Sequence, residues 1–177
     1  MAARSSTEAP GEAGAAAGGP WIPGQARETG SACWVAPTRA ALVAEARGWI
    51  GTPYHHQASR RGAGCDCFGL VRGVWRAFYG PEPVAVPAYT KDWGDVTGVE
   101  TMLDSARAHL VERAVSEREP GDVLVFRMRR GIAKHAGILT GEATFVHATE
   151  RAVVAEVPLD PFWRGRIAAV FSFPGVE

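Results

Sequence analysis

Apolar residues recur at helical spacing in three early segments of the chain. The first segment follows Thr38, the second lies between Asp66 and Gly80, and the third follows Thr97, which opens a Thr-Gly-Val-Glu capping box. Thr and Asp cap helix N-termini and Gly ends helices, so these residues delimit three predicted helices. Their predicted inward faces are Leu42, Ala46, Trp49 and Ile50; Cys67, Val71, Val74, Trp75 and Phe78; and Met102, Leu103, Ala106 and Leu110.

After residue 120 the helical spacing gives way to short apolar runs separated by turn residues. We predict five strands there, over residues 122–128, 134–139, 144–148, 153–157 and 167–173. Helices followed by strands are typical of an α+β domain, with the N-terminal helices packed on a five-stranded, largely antiparallel sheet.

The N-terminal segment has a different composition from the rest of the chain. Residues 1–36 are rich in Ala, Gly, Pro, Ser and Glu and show no hydrophobic period. Such a segment buries too little apolar surface to offset its ordering entropy. We therefore predict a flexible tail over 1–36 and one folded domain over 37–177.

Charge and hydropathy exclude several classes of function. The 177 residues include 19 basic and 19 acidic side chains, so the formal net charge is zero, which argues against nucleic-acid binding. A basic cluster of Arg127, Arg129, Arg130 and Lys134 is interpreted as a solvated strand end. We find no segment apolar enough for a membrane span or a secretory signal, so we expect synthesis in the cytoplasm.

The cysteines point to a reactive thiol. Cys65 and Cys67 are separated by one residue, a spacing that suits neither a good disulfide nor the usual metal knuckle. Cys33 lies in the predicted tail. Cys67 falls in the first turn of a predicted helix, where free N–H groups and the positive dipole end favour a thiolate. Because Asp66 is the predicted cap, Cys65 lies outside the helix and Cys67 is the candidate nucleophile.

Two histidines in consecutive predicted strands are candidates for the base. With a three-residue loop between the strands, Leu139 faces Ala143 and His135 then faces His147 directly, with both rings on one side of the sheet. A two-residue loop would place the rings on opposite sides. In the first arrangement His135 takes the thiol proton and His147 orients its ring.

The residues alone leave other interpretations open. A buried cysteine is often a small core residue, and strand histidines can be hydrogen-bonded sheet residues or metal ligands together with cysteines. Two further aromatic residues are interpreted without a catalytic role, His56 as a loop residue and Trp163 as a core residue.

Short blocks of sequence carry these candidates in a fixed order. They read Gly-Thr-Pro-Tyr at 51–54, Gly-Cys-Asp-Cys-Phe-Gly-Leu-Val at 64–71, Pro-Gly-Asp-Val-Leu-Val-Phe at 120–126, then His-Ala-Gly-Ile from 135 and Phe-Val-His-Ala from 145. Together they resemble the NlpC family of bacterial cell-wall cysteine peptidases, over roughly residues 38–173. The second block, with the Arg that follows it, is most similar to the phage-tail and gene-transfer-agent branch of that family.

The resemblance implies a papain-like fold and an activity. It assigns the nucleophile to Cys67, the base to His135 and the third polar residue to His147, and it implies no metal and no cofactor. The substrates it implies are the peptide stems of peptidoglycan, commonly cut between D-glutamate and diaminopimelate.

Three substrate-side residues follow from the same resemblance. Tyr54 matches a tyrosine whose hydroxyl can hold the oxyanion together with a backbone N–H. Asp66 matches an aspartate that helps to receive a substrate amine. Phe68 stands where the family usually has serine, so we expect it to change substrate specificity.

The branch of the family also implies a route of delivery. We expect a lytic peptidase carried by a phage-like tail to the cell wall or periplasm of a recipient cell. Its tail segment, with Trp21, Ile22 and Trp34 as anchors, would bind tail hub or tip proteins. Two alternatives stay open: a catalytically idle component of a tail tip, and an amidase or acyltransferase that uses the same cysteine.

Overall fold

The computed structural model describes residues 35–86, 88–90, 98–128 and 131–176. The helices in these ranges are α1 (Arg39–Arg47), α2 (Cys67–Tyr79), α3 (Thr101–His109) and the short α4 (Pro161–Arg164), with a 3-10 turn at Val115–Glu117. The strands are β1 (Ser59–Arg60), β2 (Gly64–Cys65), β3 (Val111–Arg113), β4 (Val123–Arg127), β5 (Ala133–Gly141), β6 (Thr144–His147), β7 (Ala155–Pro158) and β8 (Ile167–Ser172). Residues 1–34 of the predicted tail lie outside the described ranges.

The first two predicted helices form where the capping residues indicate. The Thr38 hydroxyl accepts the Ala41 N–H at 3.2 Å at the start of α1, and the Asp66 carboxylate caps α2. The prediction that Ile50 faces inward is wrong, because α1 ends at Arg47 and Ile50 is 47% exposed in the turn that follows.

The start of the third helix differs from the prediction. Thr97 lies outside the described residues, and Glu100 occupies the N-cap position of α3 without a capping hydrogen bond from its side chain. The Glu100 carboxylate instead accepts the Ala133 N–H at 2.9 Å and pairs with Arg127. Glu100 therefore ties the helix start to the sheet and is not the third residue of a capping box.

Within the described part of the chain, the main sheet has six strands in the order β3-β8-β4-β5-β6-β7, and every neighbouring pair is antiparallel. All five predicted strands are present with bounds shifted by a few residues. The sixth strand, β3, was not predicted, because its three residues include two charged side chains and give no alternation to detect. It pairs with β8 at one edge of the sheet.

Alternating side chains divide the core between the two faces of the sheet. Val123 and Val125 pack in the larger cluster with residues of α1, α2 and α3, whereas Leu124 and Phe126 pack in a smaller cluster on the other face. The helices thus cover one face, and the loop and α4 that precede β8 contribute Leu159 and Trp163 to the other.

The register between β5 and β6 corrects the sequence-based expectation. Gly137, and not His135, lies opposite His147, and the register shifts between Leu139 and Gly141. The unpaired residue is Thr140, whose hydroxyl donates to Glu156 at 2.7 Å. Gly141 pairs with Thr144 across a two-residue loop, which alone would put the rings on opposite faces, but the bulge shifts the pairing by one residue. Both histidines therefore share one face and lie on a diagonal.

Candidate active site

Cys67 begins α2 and places its thiol against the first part of β5. Its Sγ lies 4.0 Å from the carbonyl oxygen of Lys134, and the N–H of Ala136 also approaches the sulfur. These two residues flank His135 in the strand. β6 pairs with β5 only from Gly137 onward. The sulfur therefore lies beside the part of β5, around His135, that β6 does not pair with.

The two candidate histidines form a buried hydrogen-bonded pair. His135 Nε2 lies 2.9 Å from His147 Nδ1, and the rings are nearly perpendicular at 80°. The two residues are 8% and 5% exposed. A neutral imidazole has one donor and one acceptor nitrogen. With Nε2 bound to His147, the nitrogen of His135 that can accept a proton is Nδ1.

An aromatic cluster fixes the histidine pair from the second face of the sheet. Trp163 stacks on the His135 ring at 5.3 Å and 27°, and its edge meets the His147 ring at 5.0 Å. Phe126 and Phe145 complete the cluster. Trp163 thus packs against the smaller core cluster, in agreement with its interpretation as a core residue, and it also supports the histidine rings. Asp160-Pro161, a helix-start signal, could have indicated the short helix that presents it.

Burial shifts the pKa values of the histidine pair and of the thiol away from their ordinary ranges. Burial raises the pKa of Cys67 to about 12, the charge of Asp66 acts in the same direction, and nearby backbone N–H groups only partly oppose them. Burial, and then the neighbouring His147, lower the pKa of His135 to about 3, and burial lowers that of His147 to about 4. Burial therefore opposes ionisation of the thiol and of both imidazoles, while the backbone N–H groups at the start of α2 favour the thiolate, as the sequence predicts.

Tyr54 lies beside the nucleophile in a short irregular pairing. It forms an isolated parallel bridge with Cys65, and it lines the same cleft as Cys67. Burial, followed by the nearby acidic groups Cys67, Asp66 and Glu150, raises the pKa of Tyr54 to about 12. Its hydroxyl consequently stays protonated and can donate a hydrogen bond at neutral pH.

Asp66 is buried beneath the cleft and organises its surroundings. Its Oδ1 accepts the Gly69 N–H at 2.7 Å, and its Oδ2 accepts the Gln57 N–H at 2.7 Å and the Tyr89 hydroxyl at 2.6 Å. The residue is 2% exposed. The sequence pattern gave no sign of Tyr89, because its link to Asp66 depends on the path of the connection after α2.

The cleft in front of Cys67 has a volume of ≈ 130 Å³ and a largely polar lining. Phe68 lies on its border, half-buried, with its ring 6.2 Å from Tyr89 and 5.9 Å from the Arg72 guanidinium. The side chains that line the cleft are Tyr54, His56, Cys67, Phe68, Tyr89, Thr90, Met102, Lys134 and Glu150. His56, interpreted from the sequence as a loop residue, is thus part of the cleft.

The remaining candidates lie outside this arrangement. Cys65 is fully buried in the core, and burial raises its pKa to about 12, while Cys33 is outside the described residues. Arg127 of the basic cluster pairs with Glu100, and Arg129 and Arg130 are likewise not described. Within the described ranges, no three His, Cys, Asp or Glu side chains are grouped as a metal site requires, and none of the helices is suited to cross a membrane.

A thiol at a helix start, next to a histidine that a second polar side chain orients, is the arrangement of cysteine-nucleophile hydrolases. Residues 51–172 match the sequence model of the NlpC/P60 family, and the chain belongs to that family. This is a family of cysteine peptidases and peptidoglycan hydrolases. Its papain-like α+β fold is the one described above.

Solved structures show the same fold. The NlpC/p60 domain of the peptidoglycan hydrolase SagA is 25% identical, with a TM-score of 0.55 over 76% of this chain and 98% of that domain. An NlpC/P60 family protein from Bacillus cereus is 18% identical, with a TM-score of 0.59 over 79% of this chain and 41% of that one. NlpC1 from Trichomonas vaginalis is 16% identical, with a TM-score of 0.53 over 76% and 44%. The chain thus spans less than half of the latter two proteins. No curated protein matches it.

Proposed function

We propose that this protein is a cysteine endopeptidase that hydrolyses the peptide stems of bacterial peptidoglycan, at the bond between D-glutamate and diaminopimelate. The observation that carries the proposal is the position of the Cys67 sulfur, against the two residues that flank His135. The pairing of His135 with His147 supports it, as does membership of a family of peptidoglycan hydrolases. The choice of bond rests on the resemblance of the sequence blocks alone.

In the first half of the reaction the enzyme is acylated. The proton of the Cys67 thiol passes to Nδ1 of His135 while the sulfur attacks the carbonyl carbon of the scissile amide. The Cys67 N–H and the Tyr54 hydroxyl donate to the oxyanion that forms. The C–N bond then breaks, the leaving amine takes the proton from His135, and a thioester remains on Cys67.

In the second half water completes the hydrolysis. His135 accepts a proton from the water as its oxygen attacks the thioester carbon, and the proton then returns to the departing sulfur. For this role the Nε2–H of His135 must donate to His147 Nδ1, which leaves Nδ1 of His135 as the acceptor. His147 is thus a positioning residue. Burial opposes ionisation of both the thiol and the imidazole, so in this mechanism the proton moves between them as the sulfur attacks.

The activity is tested by digestion of purified peptidoglycan, with the products identified by mass spectrometry. We expect the wild type to release fragments cut between D-glutamate and diaminopimelate, and Cys67→Ala to release none, because the nucleophile is lost. Cys65→Ala is the matched control. It removes a buried thiol two residues away, and should retain hydrolysis despite some loss of stability.

The products also separate the alternatives. Equal release by the wild type and Cys67→Ala would contradict the peptidase and leave a structural component of a tail tip. Release of intact stems from the glycan, or transfer of the acyl group to an added amine, would identify an amidase or an acyltransferase with the same nucleophile.

We further propose that a phage-like particle carries the enzyme to the wall or periplasm of a recipient cell, with residues 1–36 bound to a tail hub protein. The support is the form of the block around Cys67 and the tryptophans of the segment. Deletion of residues 1–36 should release the domain from particles and leave hydrolysis by the purified domain unchanged. Undiminished attachment of the shortened chain would contradict this route.

A further inference from the structure

Tyr89 is held over the cleft by contacts from several directions. Its hydroxyl donates to Asp66 Oδ2 at 2.6 Å. Its backbone carbonyl accepts from Gln57 Nε2 at 2.6 Å and lies 2.9 Å from His56 Nε2. Its ring meets those of His56 and Phe68 edge-on, at 5.2 Å and 6.2 Å. Tyr89 belongs to no helix or strand, so these contacts, and not a backbone ladder, fix its side chain.

The contacts leave Asp66 little capacity for a ligand. A carboxylate offers about four acceptor directions, and three are used by Gly69, Gln57 and Tyr89. Two of the three bonds are to Oδ2, and the ring of His56 lies on the same side, with Nδ1 3.6 Å from Oδ2. A cation that approaches Oδ2 from the cleft therefore competes with the hydroxyl of Tyr89.

Because Asp66 lies next to the nucleophile, hydrogen bonds that engage its carboxylate affect which substrates the cleft can bind. Asp66 directly precedes the nucleophile, and Tyr89 lines the cleft together with Cys67 and Phe68. An accessible carboxylate there would bind a peptide ammonium by a charge-assisted hydrogen bond and so select peptides with a free amino end. In this chain the same position presents the rings of Tyr89 and Phe68.

We propose that Tyr89 is a specificity-determining residue. By occupying Asp66, it directs the cleft toward peptides whose amino end is acylated and away from peptides that end in a free ammonium. This inference rests on the proposed peptidase and deepens it. The substrates it defines are stems still joined through their amino end to a larger molecule, in contrast to released peptides.

The test compares two stem peptides that differ only at the amino end, which is free in one and acetylated in the other. The wild type should cleave the acetylated peptide with the higher kcat/KM. Tyr89→Ala should shift the ratio of the two values toward the free-amine peptide by about tenfold or more, the effect of one charge-assisted hydrogen bond. Tyr89→Phe, which keeps the ring, should shift it less.

Tyr79→Phe is the matched control, because it also removes a hydroxyl that donates a hydrogen bond, here to the carbonyl of Pro174. Tyr79 packs in the core and does not line the cleft, so its variant should keep the wild-type ratio. A wild type that prefers the free-amine peptide would overturn the inference and leave the peptidase intact, as would an unchanged ratio in Tyr89→Ala.

A binding experiment distinguishes failure of this inference from failure of the proposed peptidase function. Calorimetry with Cys67→Ala should show tighter binding of the acetylated peptide. Such binding without cleavage of either peptide by the wild type would contradict the peptidase alone. Binding of neither peptide would contradict both.

Discussion

Burial of two histidines at the candidate site makes the fold sensitive to acid. Burial lowers the pKa of His135 to about 3 and of His147 to about 4, whereas in an unfolded chain both lie near about 6.5. Between these values the unfolded state binds more protons than the folded state. The contribution of the two histidines to the free energy of unfolding is therefore at its full value above about pH 6.5, and it is lost progressively as the pH drops toward 4.

We expect His147→Gln to reduce this acid sensitivity. The wild type should lose stability between pH 7 and pH 5 in urea titrations, and the variant should lose about 1–2 kcal/mol less, since one buried titrating group is absent. His55→Gln is the matched control, because His55 is exposed and its replacement should leave the pH dependence as in the wild type. Parallel curves for the wild type and His147→Gln would contradict the assignment of low pKa values to the pair.

Local signals identified some residues of the candidate site and not others. The helix cap at Asp66 places Cys67 in a first turn, and this arrangement can be read from adjacent positions. The roles of Tyr89 and Trp163 depend on contacts with residues far away in the chain. The hydroxyl of Tyr89 meets a carboxylate 23 positions away, and hydrophobic periodicity carries no information on such a contact.

At the level of elements, helical spacing and capping residues predicted α1 and α2, and apolar runs predicted five strands of the main sheet. The elements that were missed are short, namely β1, β2, β3 and α4, because two to four residues do not establish a period.

The hairpin of β5 and β6 shows which part of a register can be predicted. That both histidine rings lie on one face of the sheet could be predicted, but from a three-residue loop, whereas the structure has a two-residue loop and a bulge. The identity of the paired residue could not be predicted, because the bulge at Thr140 depends on its hydrogen bond to Glu156 in β7. The carboxylate of Glu156 also accepts from Thr144 and Arg47, so the hairpin, β7 and α1 determine the register together.

For the whole molecule, the order of elements explains how distant residues meet. The start of α2 supplies the thiol, and the sheet that follows supplies the histidines in neighbouring strands. The larger core cluster holds α2 against β5, so the position of the sulfur depends on packing across this interface. The smaller cluster holds Trp163 behind the histidines. Packing on one face of the sheet therefore positions the thiol, and packing on the other face positions the histidines.

The most direct test of this account is whether a stem peptide acylates Cys67 with the help of His135. An acetylated stem peptide is mixed with the wild type or His135→Gln at pH 7 and quenched in acid, and the protein is analysed by intact-mass spectrometry and peptide mapping. The account predicts a thioester on Cys67 in the wild type, formed at least about 10²-fold more slowly in His135→Gln, the contribution typical of a general base. An adduct on another residue, or acylation and cleavage at equal rates in both proteins, would contradict it.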